Sequence, residues 1–198
     1  MSTITLPALF VPRTCQLTQV VNQRVSAAPF GGSEQAVDLL NDRWLLSCEL
    51  PPSRHANSAW REAFINNMRG QTNTVALYHF TRPAPRGTVR GTLTLNAPAA
   101  QGASSIVITG CSPATGTLLA GDMLGVGGLL LMSGADCTAV AGVMTVPIVN
   151  RVRVAQPSGA AVTWDKPTAP FRMLSTNGVQ YTPGVAQAVS FDFGEAIA

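Results

Sequence analysis

His55 and His79 are the two imidazoles of this 198-residue chain. Histidine acid–base chemistry would have to run through one of them. His55 lies in a polar lead-in to a helical pattern, where a capping or solvent-facing role fits. His79 shares a strand face with Val75 and Leu77, which suits a histidine at the edge of a core. No G-x-S-x-G elbow is present for a serine nucleophile. No H-E-x-x-H or Cys-x-x-Cys spacing is present for zinc. Among the ten acids, Glu49, Asp122, Asp165 and Asp192 are candidates for a glycosidase-type carboxylate pair, but their spacing selects no pair. Asp122 follows Gly121 and reads as a turn residue. The run GVGG at 125–128 has the glycines of a phosphate loop, but neither a following helix nor a Lys-Ser/Thr. No catalytic, cofactor-binding or metal-ligating residue is assigned, and the expectation is a protein that is not an enzyme and carries no cofactor.

The elements around these residues read mainly as strands. Residues 13–25 alternate partially and predict a first strand. Gly31-Gly32 turns the chain into a second. RWLLSCEL (43–50) puts Trp44, Leu46, Cys48 and Leu50 on one face. Pro51-Pro52 ends it. From 57 to 69, Trp60, Phe64 and Met68 recur at every fourth position, opposite Arg61, Glu62, Asn66 and Arg69. That spacing predicts one amphipathic helix, capped by Asn57 or Ser58 and stopped by Gly70. TVALYHF (74–80) predicts the next strand. Trp44, Trp60, Phe64 and Met68 are therefore expected to form a structural clasp of helix on sheet. Burying the three helix side chains is worth about 5–8 kcal/mol gross.

Residues 81–91 (TRPAPRGTVRG) are rich in Pro, Gly and Arg and predict a linker or exposed loop. Beyond them the chain becomes a series of short Gly-, Thr- and Val-rich segments without a helix pattern, with a tight turn expected at Gly127-Gly128. Two more strands are expected around Asn177-Gly178, the second carrying Val185, Gln187, Val189, Phe191 and Phe193 on one face. The predicted fold class is mainly β. A split β-barrel or sandwich domain with one amphipathic helix takes residues 1–90 together with 171–198. A second small all-β barrel or sandwich is inserted at 91–170.

Charged residues make up only 12% of the chain and apolar residues 46%. Such a composition suits a subunit whose surface is covered by neighbours. Of the 13 basic residues all but Lys166 are arginine, the cation best suited to paired contacts. Net charge is +3. Arg69, Arg82, Arg86 and Arg90 fall in an acid-free stretch between Glu62 and Asp122, but no dense basic cluster points to sequence-specific nucleic-acid binding. Arg82, Arg86 and Arg90 are the expected subunit contact. Met123–Asn150 is nearly uncharged, yet its glycines and Ser/Thr break it before it could span a bilayer as a helix, so no membrane insertion is expected. The opening MSTITLPALFVPR has no secretory pattern. The four cysteines are expected to be free thiols in a reducing compartment.

PFGGSEQAVDLLNDRWLLSCELPP, AWREAFINNMRGQ and LYHFTRPAPRGT, in that order, resemble the N-terminal part of the distal tail proteins of long-tailed bacteriophages. The matching positions are Ser33, Gln35, Trp44, Pro51, Trp60, Phe64, Arg69 and Gly70. AGDMLGVGG, VPIVNRV, KPTAPFRML and the final FDFGEAI are similar to phage tail-tip relatives. The resemblance implies a homohexameric ring in the virion, assembled in the bacterial host cytoplasm. It would join the tail tube protein to the tail-tip hub, with the tape-measure protein and receptor-binding apparatus nearby. Larger family members carry a C-terminal carbohydrate-type sandwich; this chain is short, and its second module is expected to be inserted before a final strand pair that returns to the first domain. Competing readings are another tail or neck ring protein, such as a tube or terminator protein, a host glycan-binding module, for whose aromatic cleft the second module offers only one Trp, Trp164, and a wall-degrading enzyme.

Overall fold

The computed structural model describes residues 2–27, 31–175 and 177–197. In chain order the strands are β1 (Thr3–Ile4), β2 (Thr14–Val20), β3 (Gln23–Ala27), β4 (Glu34–Asp38), β5 (Arg43–Leu50) and β6 (Ser53–Arg54). Helix α1 (Ala59–Met68) follows, then β7 (Thr74–Leu77). The middle of the chain gives β8 (Leu93–Leu95), β9 (Ser105–Thr109), β10 (Thr117–Leu118), β11 (Met123–Val126), β12 (Leu129–Met132), β13 (Cys137–Thr138), β14 (Val143–Pro147) and β15 (Ala161–Thr163). The last part gives β16 (Ala169–Met173), β17 (Tyr181–Thr182), β18 (Val185–Ala186) and β19 (Val189–Glu195). The protein is mainly β, with one α-helix among the described residues.

Two six-stranded sheets organise the chain. The first has the order β1-β7-β16-β19-β5-β2, so it draws on both ends of the sequence. Its strands are antiparallel except for the β1–β7 pair. The second runs β12-β11-β15-β8-β9-β14 and uses residues 93–163. It curls until its outer strands meet: Val149 N–H donates to Met132 O at 2.9 Å and Gly134 N–H to Pro147 O at 2.8 Å. The result is a small barrel filled by Leu93, Leu95, Ile106, Ile108, Leu124, Leu131, Met144 and Val146.

Helix α1 covers the first sheet as its spacing requires. Trp44, Phe64 and Met68 are buried and Trp60 is half-buried, all in one cluster with Phe171, Phe191 and Phe193. Ser58 stands at the N-cap, but its hydroxyl donates back to His55 O at 2.7 Å, because residues 55–57 form a 3-10 turn leading into the helix. Arg69 and Gly70 both take left-handed dihedrals and end it. Arg61, expected on the solvent side, is instead buried. Its guanidinium reaches over the sheet to donate to Pro51 O and Gln187 O.

β11 and β12 are apolar on both faces for a structural reason. Leu124, Val126, Leu129 and Leu131 fill the barrel, while Met123, Leu130 and Met132 pack outward on the first core. Gly127 and Gly128 make the tight turn between them at φ 54° and 80°, as the sequence predicts.

Three local expectations are corrected. Residues 13–25 form two strands, β2 and β3. The tight turn near the end is Pro183-Gly184, joining β17 to β18, while Asn177-Gly178 lies in an irregular stretch. The segment 185–193 is broken: Val185 is exposed, whereas Val189, Phe191 and Phe193 are buried. The chain departs from the strand at 187–188, so a single alternation does not carry through.

Candidate functional site

The residues singled out for chemistry are dispersed. His55 is exposed and lies edge-on to Tyr181 at 5.1 Å. Glu49 is bonded to Arg13 at 2.7 Å, and Asp192 accepts from Ser47 Oγ at 2.7 Å. Glu49 and Asp192 share the outer face of the first sheet on adjacent strands, each already engaged. Asp165 is exposed in a turn far along the chain. Among the described residues no group of three or more His, Cys, Asp or Glu gathers to hold a metal ion. All four cysteines are free, and Cys48 and Cys111 are buried. Burial pushes every thiol up, Cys48 to about 12, which keeps them protonated and poorly nucleophilic.

His79 is buried between Thr81 Oγ1, 3.0 Å from Nδ1, and Arg82 Nη2, 3.3 Å from Nε2. A guanidinium only donates, so Nε2 accepts and the ring proton sits on Nδ1. Burial first, and the Arg82 charge second, hold the His79 pKa below its ordinary value. The unfolded chain therefore binds a proton more readily than the folded one. His79 stabilises the fold above its unfolded pKa of about 6.5, and that contribution is lost as pH falls through the folded value. Urea midpoints measured at about pH 7.5 and about pH 5 should drop for the parent chain by more than for His79→Gln. Equal drops would remove His79 from the acid sensitivity.

The basic segment 81–91 is not an exposed linker. Pro85, Gly87 and Val89 are buried, and the segment packs against the barrel. Asp122 organises it. Its carboxylate, almost fully buried, accepts from the backbone N–H groups of Arg86 (3.0 Å), Gly87 (3.1 Å) and Leu119 (2.8 Å). Space is so tight that a Cβ on Gly87 would sit 2.0 Å from Thr117 O. The three arginines tie the same seam. Arg82 donates to Gly121 O at 3.2 Å, and Arg86 to Ala120 O. Arg90 donates to Gly87 O at 2.9 Å and lies over the Trp164 ring at 4.9 Å. Trp164 also donates to Gly91 O at 2.8 Å, so its ring is part of this seam. The expected subunit contact through Arg82, Arg86 and Arg90 thus meets an intrachain role. Each guanidinium reaches a backbone carbonyl, and Arg86 Nε also pairs with the Asp122 carboxylate at 3.5 Å. Asp122→Asn keeps one acceptor oxygen but loses charge and part of the triple contact, and should cost about 1–3 kcal/mol in denaturant unfolding. No loss would mean the seam is held elsewhere.

The surface that stands apart is the β3–β4 ribbon with the strand leading to it. All ten residues of the two five-residue strands are exposed, on both faces. Val25 is 53% and Val37 46% exposed. A lone two-stranded ribbon is marginal in water, but its root is firmly held. Asp42 accepts from Gln19 Nε2 and Asn22 N–H, both at 3.1 Å, and Asp38 pairs with Arg151 at 3.2 Å. Leu40 and Asn41 at φ 55° and 67° redirect the chain into β5. Leu40 has a side chain seldom found in that region. β2, at the edge of the first sheet, is TCQLTQV. It carries no charge and no proline, the usual guards of an edge strand. Neither strand carries a large apolar face: EQAVD has no apolar–polar alternation, and QRVSA has only Val25 and Ala27.

The chain matches no protein-family model and no curated protein. No helix among the described residues is long and apolar enough to cross a membrane.

Proposed function

We propose that this chain is a structural assembly subunit that works without turnover. Its best-supported identity is the ring-forming protein at the distal end of a long phage tail, joining the tail tube to the tail-tip hub and receptor-binding apparatus. One observation carries the assembly part of the reading: a firmly rooted ribbon, exposed on both faces, continues from an unguarded edge strand. Edges and ribbons of this kind are covered when copies associate. The tail-tip part rests on the sequence resemblance. Its Trp44, Phe64 and Trp60 are packing residues here, the role a shared scaffold would give them.

Light scattering on the purified chain should give a mass near six times 20.7 kDa. Antibody labelling of phage particles should mark the tail tip. Label on the neck or along the tube would replace this reading with another tail part, and absence from the particle would end it.

A further inference from the structure

At the Leu50 end of β5 lies a groove of about 470 Å³. Leu9 and Val11, 64% and 67% exposed, form its wall with half-buried Trp60. Pro51, Ser53 and Arg61 complete it. Two polar atoms there are buried and have no hydrogen-bond partner: Ser53 Oγ and Arg61 Nε. Arg61 is 3% exposed, and its two Nη groups donate only to neutral carbonyls. Among the described residues no carboxylate pairs with it. A buried cation without a counter-charge is costly, and an unmet donor adds to that cost. Ser53 Oγ and Arg61 Nε are both sealed from solvent, but Arg61 lines the groove, so what the groove would take is a counter-charge carried beside apolar side chains.

The ribbon carries that combination. In its register Val25 lies opposite Ala36 and Ala27 opposite Glu34. Strand alternation then places Val25, Ala27, Ala36 and Glu34 on one face. Glu34 is exposed and has no ion pair among the described residues. Ribbon and groove cannot meet within one chain. The ribbon leaves beside Arg43, at one end of β5, and the groove begins at Leu50, at the other. Those ends are about 23 Å apart at the usual strand rise, and the exposed ribbon does not fold back.

We infer that the β3–β4 ribbon of one copy docks in the Leu9–Val11–Trp60 groove of the next, with Val25 against the apolar wall and the Glu34 carboxylate at the Arg61 end of the groove, where it supplies the missing counter-charge. This rests on the assembly reading above and names its contact. The contact joins two different surfaces, so copies add head to tail and close into a ring when the rotation allows.

Leu9→Asp and Val25→Asp each change an exposed side chain, and circular dichroism and melting should show the fold intact. Each variant alone should be monomeric by light scattering where the parent chain assembles. Mixed one to one, they should form dimers and stop. The Leu9→Asp copy keeps its ribbon, the Val25→Asp copy keeps its groove, and the other two surfaces are spoiled. Glu34→Gln should raise the assembly midpoint concentration about tenfold. Variants that assemble like the parent, or a mixture that stays monomeric, would overturn the docking and leave the tail-tip reading standing. A parent chain monomeric at every soluble concentration would also overturn it, leaving the groove to water or another protein. The tail-tip reading is judged separately, by position in the particle.

Discussion

Phe10→Ala should lower stability by about 3–5 kcal/mol, although Phe10 lies outside every strand and helix. The residue belongs to the connection between β1 and β2, held by a turn in which its N–H donates to Pro7 O at 2.9 Å. Its ring is 3% exposed. It lies 5.6 Å from the rings of Phe64 and Phe80, 5.8 Å from Phe191, and 6.3 Å from Trp60 and Phe193. These are favourable aromatic separations. Phe10 thus fills the space between helix α1 and the aromatic strand β19, and no neighbour is free to collapse into the hole. Four of the five rings around it sit on α1 or β19, with Phe80 in a turn, which places the cost toward the cavity-forming end of the range. Phe10→Leu keeps most of the volume and should lose less than half as much. Urea unfolding of both variants checks this, and a loss under about 1 kcal/mol for the alanine variant would show that the helix is held without the plug.

The clasp of Trp44, Trp60, Phe64 and Met68 was legible because each residue sits on a clean local period, fourfold on the helix and twofold on the strand. Phe10 was not, since a connection has no period to read. The same limit hid the two-faced burial of β11 and β12. Their unbroken apolar run invites a membrane reading, yet it follows from lying between two cores, a long-range fact. Arg61 shows the opposite failure. Its position on the helix fits a solvent face, but the carbonyls of Pro51 and Gln187 converge there only once β5 and the segment before β19 are in place. For the candidate site, the sequence marked the basic segment 81–91 by its composition. Composition could not reveal that Asp122 would gather its backbone.

Glu195→Ala should be the most damaging single change to the seam between barrel and first sheet, costing about 3–5 kcal/mol. Glu195 ends β19, and its side chain is fully buried. One carboxylate oxygen accepts from Arg153 Nη1 at 2.9 Å and from Trp44 N–H at 3.1 Å, and the other takes Arg153 Nη2. Arg153 comes from the chain that follows the barrel's β14 and also donates to Asp42 O. Beside it, Trp44 Nε1 and Asn150 Nδ2 both donate to Leu130 O at 2.8 Å. In a chain this poor in charge, a buried bidentate pair is a large commitment, and the signal open to a sequence reader was only its rarity. Removing the carboxylate leaves a guanidinium and a backbone N–H buried without their acceptor. The cost therefore comes from stranded donors more than from a lost attraction. The two explanations separate in the double variant Arg153→Met, Glu195→Leu. Replacing both partners by apolar groups of similar size should recover the guanidinium's share of the loss while the Trp44 N–H stays without its acceptor, whereas a pair that stabilised by attraction would leave the double variant as weak as the single one. Urea unfolding followed by circular dichroism reads the loss. A Glu195→Ala chain within about 1 kcal/mol of the parent would mean that apolar packing of Met123, Leu130 and Met132 on the first core joins the two sheets by itself.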